Sequence, residues 1–335
     1  MRKPVTFLAL FIVVVVHSQS YSWETPQATV LSGGDLVWAP RSFQYEAGTS
    51  VRYIDFENGD DTRDGLTTST PWKHHPWDPD ATGNALSCNG IHTYVFKRGV
   101  IYRGILSAKE SGTTDEPIRL TSSPDWGTGD ACFYGSFRIA GGWQKANSAI
   151  APKIPHPDQV WYHDIGPLTH LTKNVCEIDG GELKRVRLAR TPNYESTPDE
   201  PQQKWWKFTN KTKSGDILYL EDATNFTQSQ VDYYKGGDVW AIEDVVVMCT
   251  FWRQKIDNYE PASKRITVSS QNFGGVNCRY FIENTPYLLD TPCEYYYDAP
   301  LGRIFLRLED DKDPNTTIIE VASEAKLIDI NNKSH

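Results

Sequence analysis

Cys278 to Leu308 reads CRYFIENTPYLLDTPCEYYYDAPLGRIFLRL, three local instructions in one run. Arg279 to Glu283 is aromatic and β-branched, which predicts a strand. Asn284 and Thr285 then offer capping side chains ahead of Pro286, a residue suited to the first position of a helical turn, so the strand should end in one short turn of helix. Glu294 to Asp298 and Arg303 to Leu308 read as two further strands, joined by Ala299, Pro300, Leu301 and Gly302. In the second of them Ile304, Leu306 and Leu308 alternate with Arg303, Phe305 and Arg307, so the pattern predicts a hairpin with one buried face.

Outward from this run the same grammar continues. Thr93 to Phe96, Pro117 to Thr121, Asp216 to Leu220, Val245 to Met248 and Thr317 to Val321 read as strands separated by clusters of Gly, Pro, Asp and Asn. No stretch carries sustained helical periodicity, and the expected class is all-β. Arg2 and Lys3 followed by the apolar run Phe7 to Val16 and the small residues Ser18 and Ser20 read as a secretory signal over residues 1–20. The apolar run is too short to span a bilayer. The expected location is therefore outside the cell, with no membrane attachment once the signal is cleaved. The formal charge of −9 becomes −11 when Arg2 and Lys3 leave with the signal, which argues against nucleic acid as a partner. The six cysteines, Cys88, Cys132, Cys176, Cys249, Cys278 and Cys293, lack the short spacings of a zinc site and read as disulfide partners in an exported chain. Their pairing is not readable from spacing. Asn210, Asn225, Asn315 and Asn332 head glycosylation triplets that a eukaryotic secretory pathway would use where exposed.

In the opening run, the order Tyr280, Phe281, Glu283, Asn284, Leu288, Leu289, Asp290, Pro292, Glu294, Tyr296, Asp298 and Gly302 resembles a segment of secreted carbohydrate-active proteins of the right-handed parallel β-helix, pectate-lyase-like type. A second stretch, Tyr53, Ile54 and Asp55 with Gly59, Asp60, Asp61, Asp64, Gly65, Pro71 and Trp72, resembles the opening coil of the same family. Phe96 to Gly99, Tyr102 to Gly104, and Arg187, Leu188, Ala189, Arg190, Pro192 and Asn193 match further short motifs. The resemblance covers most of residues 51–335 and only the amino-terminal portion of the family's architecture. It implies a lead-in over 21–50, the first β-helix coils over 51–140 and an inserted β subdomain over 141–266. Over 267–335 it implies the hairpin and a return to the β-helix that breaks off at His335. An uncapped coil there would offer a surface for self-association. In that family Glu294 is usually preceded by glycine; Cys293 stands there instead, and a bridge from Cys278 to Cys293 would hold the turn.

The resemblance also implies a function, recognition or cleavage of an extracellular polysaccharide. If the full-length form is an enzyme, a glycoside hydrolase is expected ahead of a polysaccharide lyase. The competing expectation is a non-catalytic secreted module that binds glycan or plays a structural part. In relatives the catalytic groups lie on later coils, so no catalytic residue is assigned. Glu283, Asp290, Glu294 and Asp298 sit in a motif that shapes the turn and hairpin. Candidates for sugar contact are Trp72, His74 and His75, where a ring can stack on a sugar face. Arg187 and Arg190 join them, because guanidinium pairs with a uronate or sulfate through two hydrogen bonds. The plainer alternatives are a structural corner of tryptophans and a surface strand paired with acids. No cofactor is required, although Asp60, Asp61 and Asp64 on a glycine-bearing turn offer the hard oxygens that calcium prefers. Against that, such aspartates also cap their own turns.

Overall fold

The computed structural model describes residues 28–38, 45–194, 204–242, 251–269 and 278–335. The signal at 1–20, the Val245 to Met248 strand and Cys249 lie outside these residues. The chain forms two compact units, Met1–Tyr134 with Lys326–His335, and Gly135–Ala325. Both are built from strands and short 3-10 turns, with no α-helix among the described residues. The all-β expectation holds.

The smaller unit contains β1 (Ala28–Val30), β2 (Leu36–Trp38), β3 (Val51–Ile54), β4 (Thr93–Phe96), β5 (Ile101–Arg103), β6 (Leu106–Ser107), β7 (Arg119–Thr121), β8 (Cys132–Tyr134) and, from the far end of the chain, the strand Ile328–Asp329. Apart from the β1–β2 hairpin, its pairings are parallel: β3 with β4, β4 with β7, β5 with β8, and β6 with Ile328–Asp329. Strands of two to four residues are too short to be stable on their own, so the unit relies on an aromatic core of Ile54, Trp72, Trp77, Tyr94, Phe96 and Tyr102. The Tyr102 hydroxyl ties that core to the Ile54 carbonyl at 2.8 Å. Gly65 has φ +66°, and a Cβ there would stand 2.8 Å from the Trp72 indole, so only glycine lets the ring lie against this turn.

The larger unit contains β9 (Ser136–Ile139), β10 (Gln144–Lys145), β11 (Trp161–Asp164), β12 (Val175–Asp179), β13 (Glu182–Leu188), β14 (Arg190–Thr191), β15 (Trp206–Lys207), β16 (Asn210–Ser214), β17 (Ile217–Glu221), β18 (Asp238–Ile242), β19 (Phe251–Lys255), β20 (Asn258–Glu260), β21 (Arg265–Ser269), β22 (Arg279–Glu283), β23 (Glu294–Asp298), β24 (Arg303–Arg307) and β25 (Ile318–Ala322). One sheet runs β10-β11-β24-β23-β13-β12-β25-β9, a second β14-β22-β18-β19 with β15 also on β22, and a third β16-β17-β21-β20. Every pairing in the three is antiparallel except β13 with β23. Parallel coils therefore do not describe this unit. Tight turns such as Ala299 to Gly302 return the chain on itself, and a turn of that length can only produce antiparallel neighbours.

The opening run folds as read in its elements. β22 and β23 have the expected bounds, and Pro286–Leu288 forms the short 3-10 turn. Two details differ. Thr285 makes no capping bond, and its hydroxyl is buried without a partner. The hairpin has two buried faces, not one. Ile304, Leu306, Leu308, Tyr295 and Tyr297 enter one apolar cluster, while Phe305 packs in another with Tyr162, Leu288 and Leu289. The cause is position: β23 and β24 lie inside the long sheet between β11 and β13, and layers cover both sides.

The Cys278–Cys293 bridge is not formed. No disulfide joins the described residues, and Cys293 is a free thiol. Cys278 is buried in the cluster below β22, whereas Cys293 opens half-exposed beside Glu309, Glu177 and Lys184. The weaker pairing of Cys88 with Cys132 is likewise absent. What the Cys293 position does require is a backbone at φ 64°, which explains why glycine suits it. Cys293→Gly is therefore expected to raise stability by about 0.5–1 kcal/mol, the relief of a strained φ less the added freedom of the unfolded chain. Cys293→Ser keeps the Cβ and should leave urea denaturation unchanged; equal effects of the two would refute the backbone account.

Candidate functional site

The Arg-Leu-Ala-Arg-Thr-Pro-Asn run and the opening run meet. β13 lies parallel to β23 with Arg187 beside Glu294, and β14 lies antiparallel to β22 with Arg190 opposite Glu283. Each half-strand thus delivers one arginine to one glutamate of a segment about a hundred positions away. The Arg190 guanidinium sits 4.0 Å from the Phe281 ring centroid and 5.7 Å from that of Trp205, and its Nε donates to the Pro192 carbonyl at 3.0 Å. Burial pulls its pKa down to about 10, with Glu283 and Glu294 pulling the other way.

The two glutamates have different surroundings. Glu283 Oε1 accepts from the Trp240 indole at 2.8 Å and from the Lys173 ammonium. Glu294 is 3% exposed; its Oε1 takes the Arg190 amide at 3.4 Å, and its Oε2 has no partner. Burial first, and the charge of Asp290 second, push its carboxyl up to about 9, so it is protonated in neutral solution. Burial also raises Asp290, whose Oδ1 accepts from the Asn193 amide at 3.0 Å. Arg307 closes the network by donating to the Asp290 carbonyl and to Asp311 Oδ1, each at 2.7 Å.

One neutral carboxyl near one ion-paired carboxyl is the pattern of an acid and a base. Here the neutral one is buried, and its one side-chain bond, from the Arg190 amide, ties β23 to β14. The part open to solvent is the rim. Arg187, half-buried, lies 3.2 Å from the Tyr194 ring centroid, and Lys173 lies 5.4 Å from that of Trp240. Among the expected contact residues, the fold brings Arg187 and Arg190 together here. Asn193 belonged to the short motif around Arg190, whereas Lys173 and Trp240 gave no sequence signal of their own, because each meets Glu283 only through the tertiary fold.

Trp72, His74 and His75 belong to the smaller unit and are not arranged to meet a sugar. Trp72 is 2% exposed and its indole donates to the Arg63 carbonyl at 2.8 Å. His75 is 2% exposed, with its ring among Trp77, Tyr94 and Phe96, and burial holds its pKa well below the usual histidine value. His74 Nδ1 stands 2.7 Å from Asp61 Oδ2. That carboxylate lies 13 positions earlier, which is why no tuned pair was visible around the histidines themselves.

The same bond accounts for the acidic turn. Asp61 accepts from the amides of Lys73, His74 and Thr82 at 2.9, 2.8 and 3.1 Å. Burial pushes its carboxyl up, but His74 and these amides outweigh it and leave it below the ordinary value. Asp60 caps Thr62, and Asp64 takes the Leu66 amide and the Thr70 hydroxyl. The three carboxylates thus serve separate turns, and among the described residues no group of three or more His, Cys, Asp or Glu side chains is placed to hold a metal ion. Of the glycosylation triplets, Asn210, Asn315 and Asn332 are exposed and Asn225 is half-buried. Asn225 donates to Asp222, and the Asn315 amide bonds Trp143 N, Trp143 O and Asp313.

No family model and no curated protein matches the chain. A solved structure described as a glycoside hydrolase is similar in fold, with a TM-score of 0.57 and 18% identity over 86% of this chain. The chain spans 48% of that structure's length. At this identity the likeness is one of fold.

Proposed function

We propose that this is a secreted carbohydrate-active protein that acts on or binds an extracellular polysaccharide, with a glycoside hydrolase favoured over a lyase. The observation that carries the reading is the fold likeness, extending over 86% of the chain, to a structure described as a glycoside hydrolase. The parallel pairs β3–β4–β7, β5–β8 and β6 with Ile328–Asp329 support a framework that begins as right-handed parallel coils. Residues 1–20 support export. A purely binding role is favoured by a separate observation, the commitment of Glu283, Asp290 and Glu294 to the strand network.

The test is to express residues 21–335 and present neutral, uronate-rich and sulfated polysaccharides with and without calcium. Retention on at least one polysaccharide in affinity electrophoresis is the expected result. New reducing ends would mark the hydrolase, unsaturated products the lyase, and retention without either the binding module. Failure to be retained or to turn over any of them overturns the proposal.

A further inference from the structure

Away from the Arg190 cluster, the larger unit carries a cleft of about 600 Å³ lined by residues 149–154, Asp232, Lys235, Pro286, Tyr287, Tyr296, Asp298, Leu301 and Phe305. We propose that this cleft is a glycan-binding subsite whose occupant is a neutral pyranose unit; the inference rests on the carbohydrate reading above and assigns it a place and a sugar class. The volume falls within the roughly 300–1,000 Å³ of small-molecule sites.

Two aromatic rings of the cleft are held in fixed planes. Tyr233 lies against Tyr287 with centroids 4.8 Å apart and planes 19° from parallel, and the Tyr287 hydroxyl donates to Asp232 Oδ1 at 2.9 Å. Tyr296 lies near-parallel to Phe305, 6.2 Å and 21°. A pyranose presents C–H bonds on its faces and hydroxyls around its rim, and a ring that cannot rotate accepts such a face without losing further side-chain freedom on binding.

Charge decides the class of sugar. Lys153 Nζ and Asp232 Oδ2 form a closed pair at 2.6 Å, and Asp298 Oδ1 accepts from the Leu301 amide at 3.2 Å. With Lys235 added, the lining carries two ammonium and two carboxylate groups and no net charge. A uronate or sulfate would gain Lys235 and meet Asp232 and Asp298, whereas hydroxyls donate to the carboxylates and accept from the ammonium groups at once. The Lys153–Asp232–Tyr287 chain also fixes the polar atoms before the ligand arrives.

The experiment is calorimetric titration of the full chain with cello-, xylo-, manno- and galacto-oligosaccharides and with trigalacturonate, repeated for Tyr287→Ala and Lys235→Ala. Circular dichroism checks that both variants are folded. The expected result is binding of at least one neutral series, weakened roughly tenfold by Tyr287→Ala and a few-fold by Lys235→Ala. Lys235 is exposed, so its variant decides the matter if the tyrosine variant unfolds. Neutral binding that survives both substitutions overturns the cleft and leaves the carbohydrate reading standing. Binding confined to trigalacturonate overturns the assigned class. An unsubstituted chain that binds no oligosaccharide here and no polysaccharide in the affinity screen overturns both proposals.

Discussion

Truncating Tyr280 to alanine is expected to destabilise the larger unit by about 3–5 kcal/mol, the cost of emptying a site of aromatic size in a packed core. Tyr280, the second residue of β22, is fully buried, stacked on Phe208 at 3.8 Å with planes 2° apart. Phe226 meets it edge-on at 5.8 Å. Its hydroxyl donates to Asp222 Oδ2 at 2.7 Å, and Asp222 also takes the amides of Thr224 and Asn225. Tyr280→Phe keeps the ring and removes one donor from a buried carboxylate, so about 1–3 kcal/mol should be lost. Urea denaturation of the two variants separates the terms. A phenylalanine variant as damaged as the alanine one would mean that the carboxylate, not the packing, governs this site.

The second large effect is a gain. Glu294 moves from an ordinary 4.5 to about 9 in the folded chain, because burial penalises its charge and Asp290 adds repulsion. The unfolded chain releases this proton near the lower value and the native one holds it up to the higher. Native protein therefore binds more protons across that window, stability falls as pH rises through it, and the loss levels off above it. Glu294→Gln mimics the protonated acid at every pH. It should match the parent chain near pH 4 and exceed it by on the order of 1–3 kcal/mol near pH 8. Thermal melts at the two pH values check the sign; a glutamine variant weaker at pH 8 than at pH 4, relative to parent, would show that Glu294 is charged in the fold.

Much of this architecture was legible locally. Thr93 to Phe96, Arg279 to Glu283 and Glu294 to Asp298 were bounded correctly because turn residues flank each apolar or aromatic run. Partner choice was not legible, since alternation specifies which side chains share a face and says nothing of which strand lies alongside. That is why β24 was expected to have one wet face, and why the antiparallel character of the larger unit was missed. The same limit applied to the cluster at Arg190. Both arginines and the acids Glu283, Asp290 and Glu294 stood out in the sequence, but their meeting depends on β13 joining β23 in parallel across a long separation. His74 shows it in miniature: Asp61 stood out only as an oxygen ligand for calcium or a turn cap, and the fold sets it against the imidazole.

The long sheet has a consequence for how the chain is made. Ile139 of β9 pairs with Ile319 of β25, and Trp161 of β11 with Leu306 of β24, so these strands wait for partners about 145 to 180 residues downstream. At roughly 5–20 residues per second, a ribosome takes on the order of ten to forty seconds to supply them. During that interval β9 and one side of β11 present unpaired edges, although β10 and the β12–β13 hairpin are already made. A nascent chain of this design depends on whatever shields those edges at the exit tunnel or translocation pore, and arrested translation before β24 should leave it protease-sensitive and prone to aggregate.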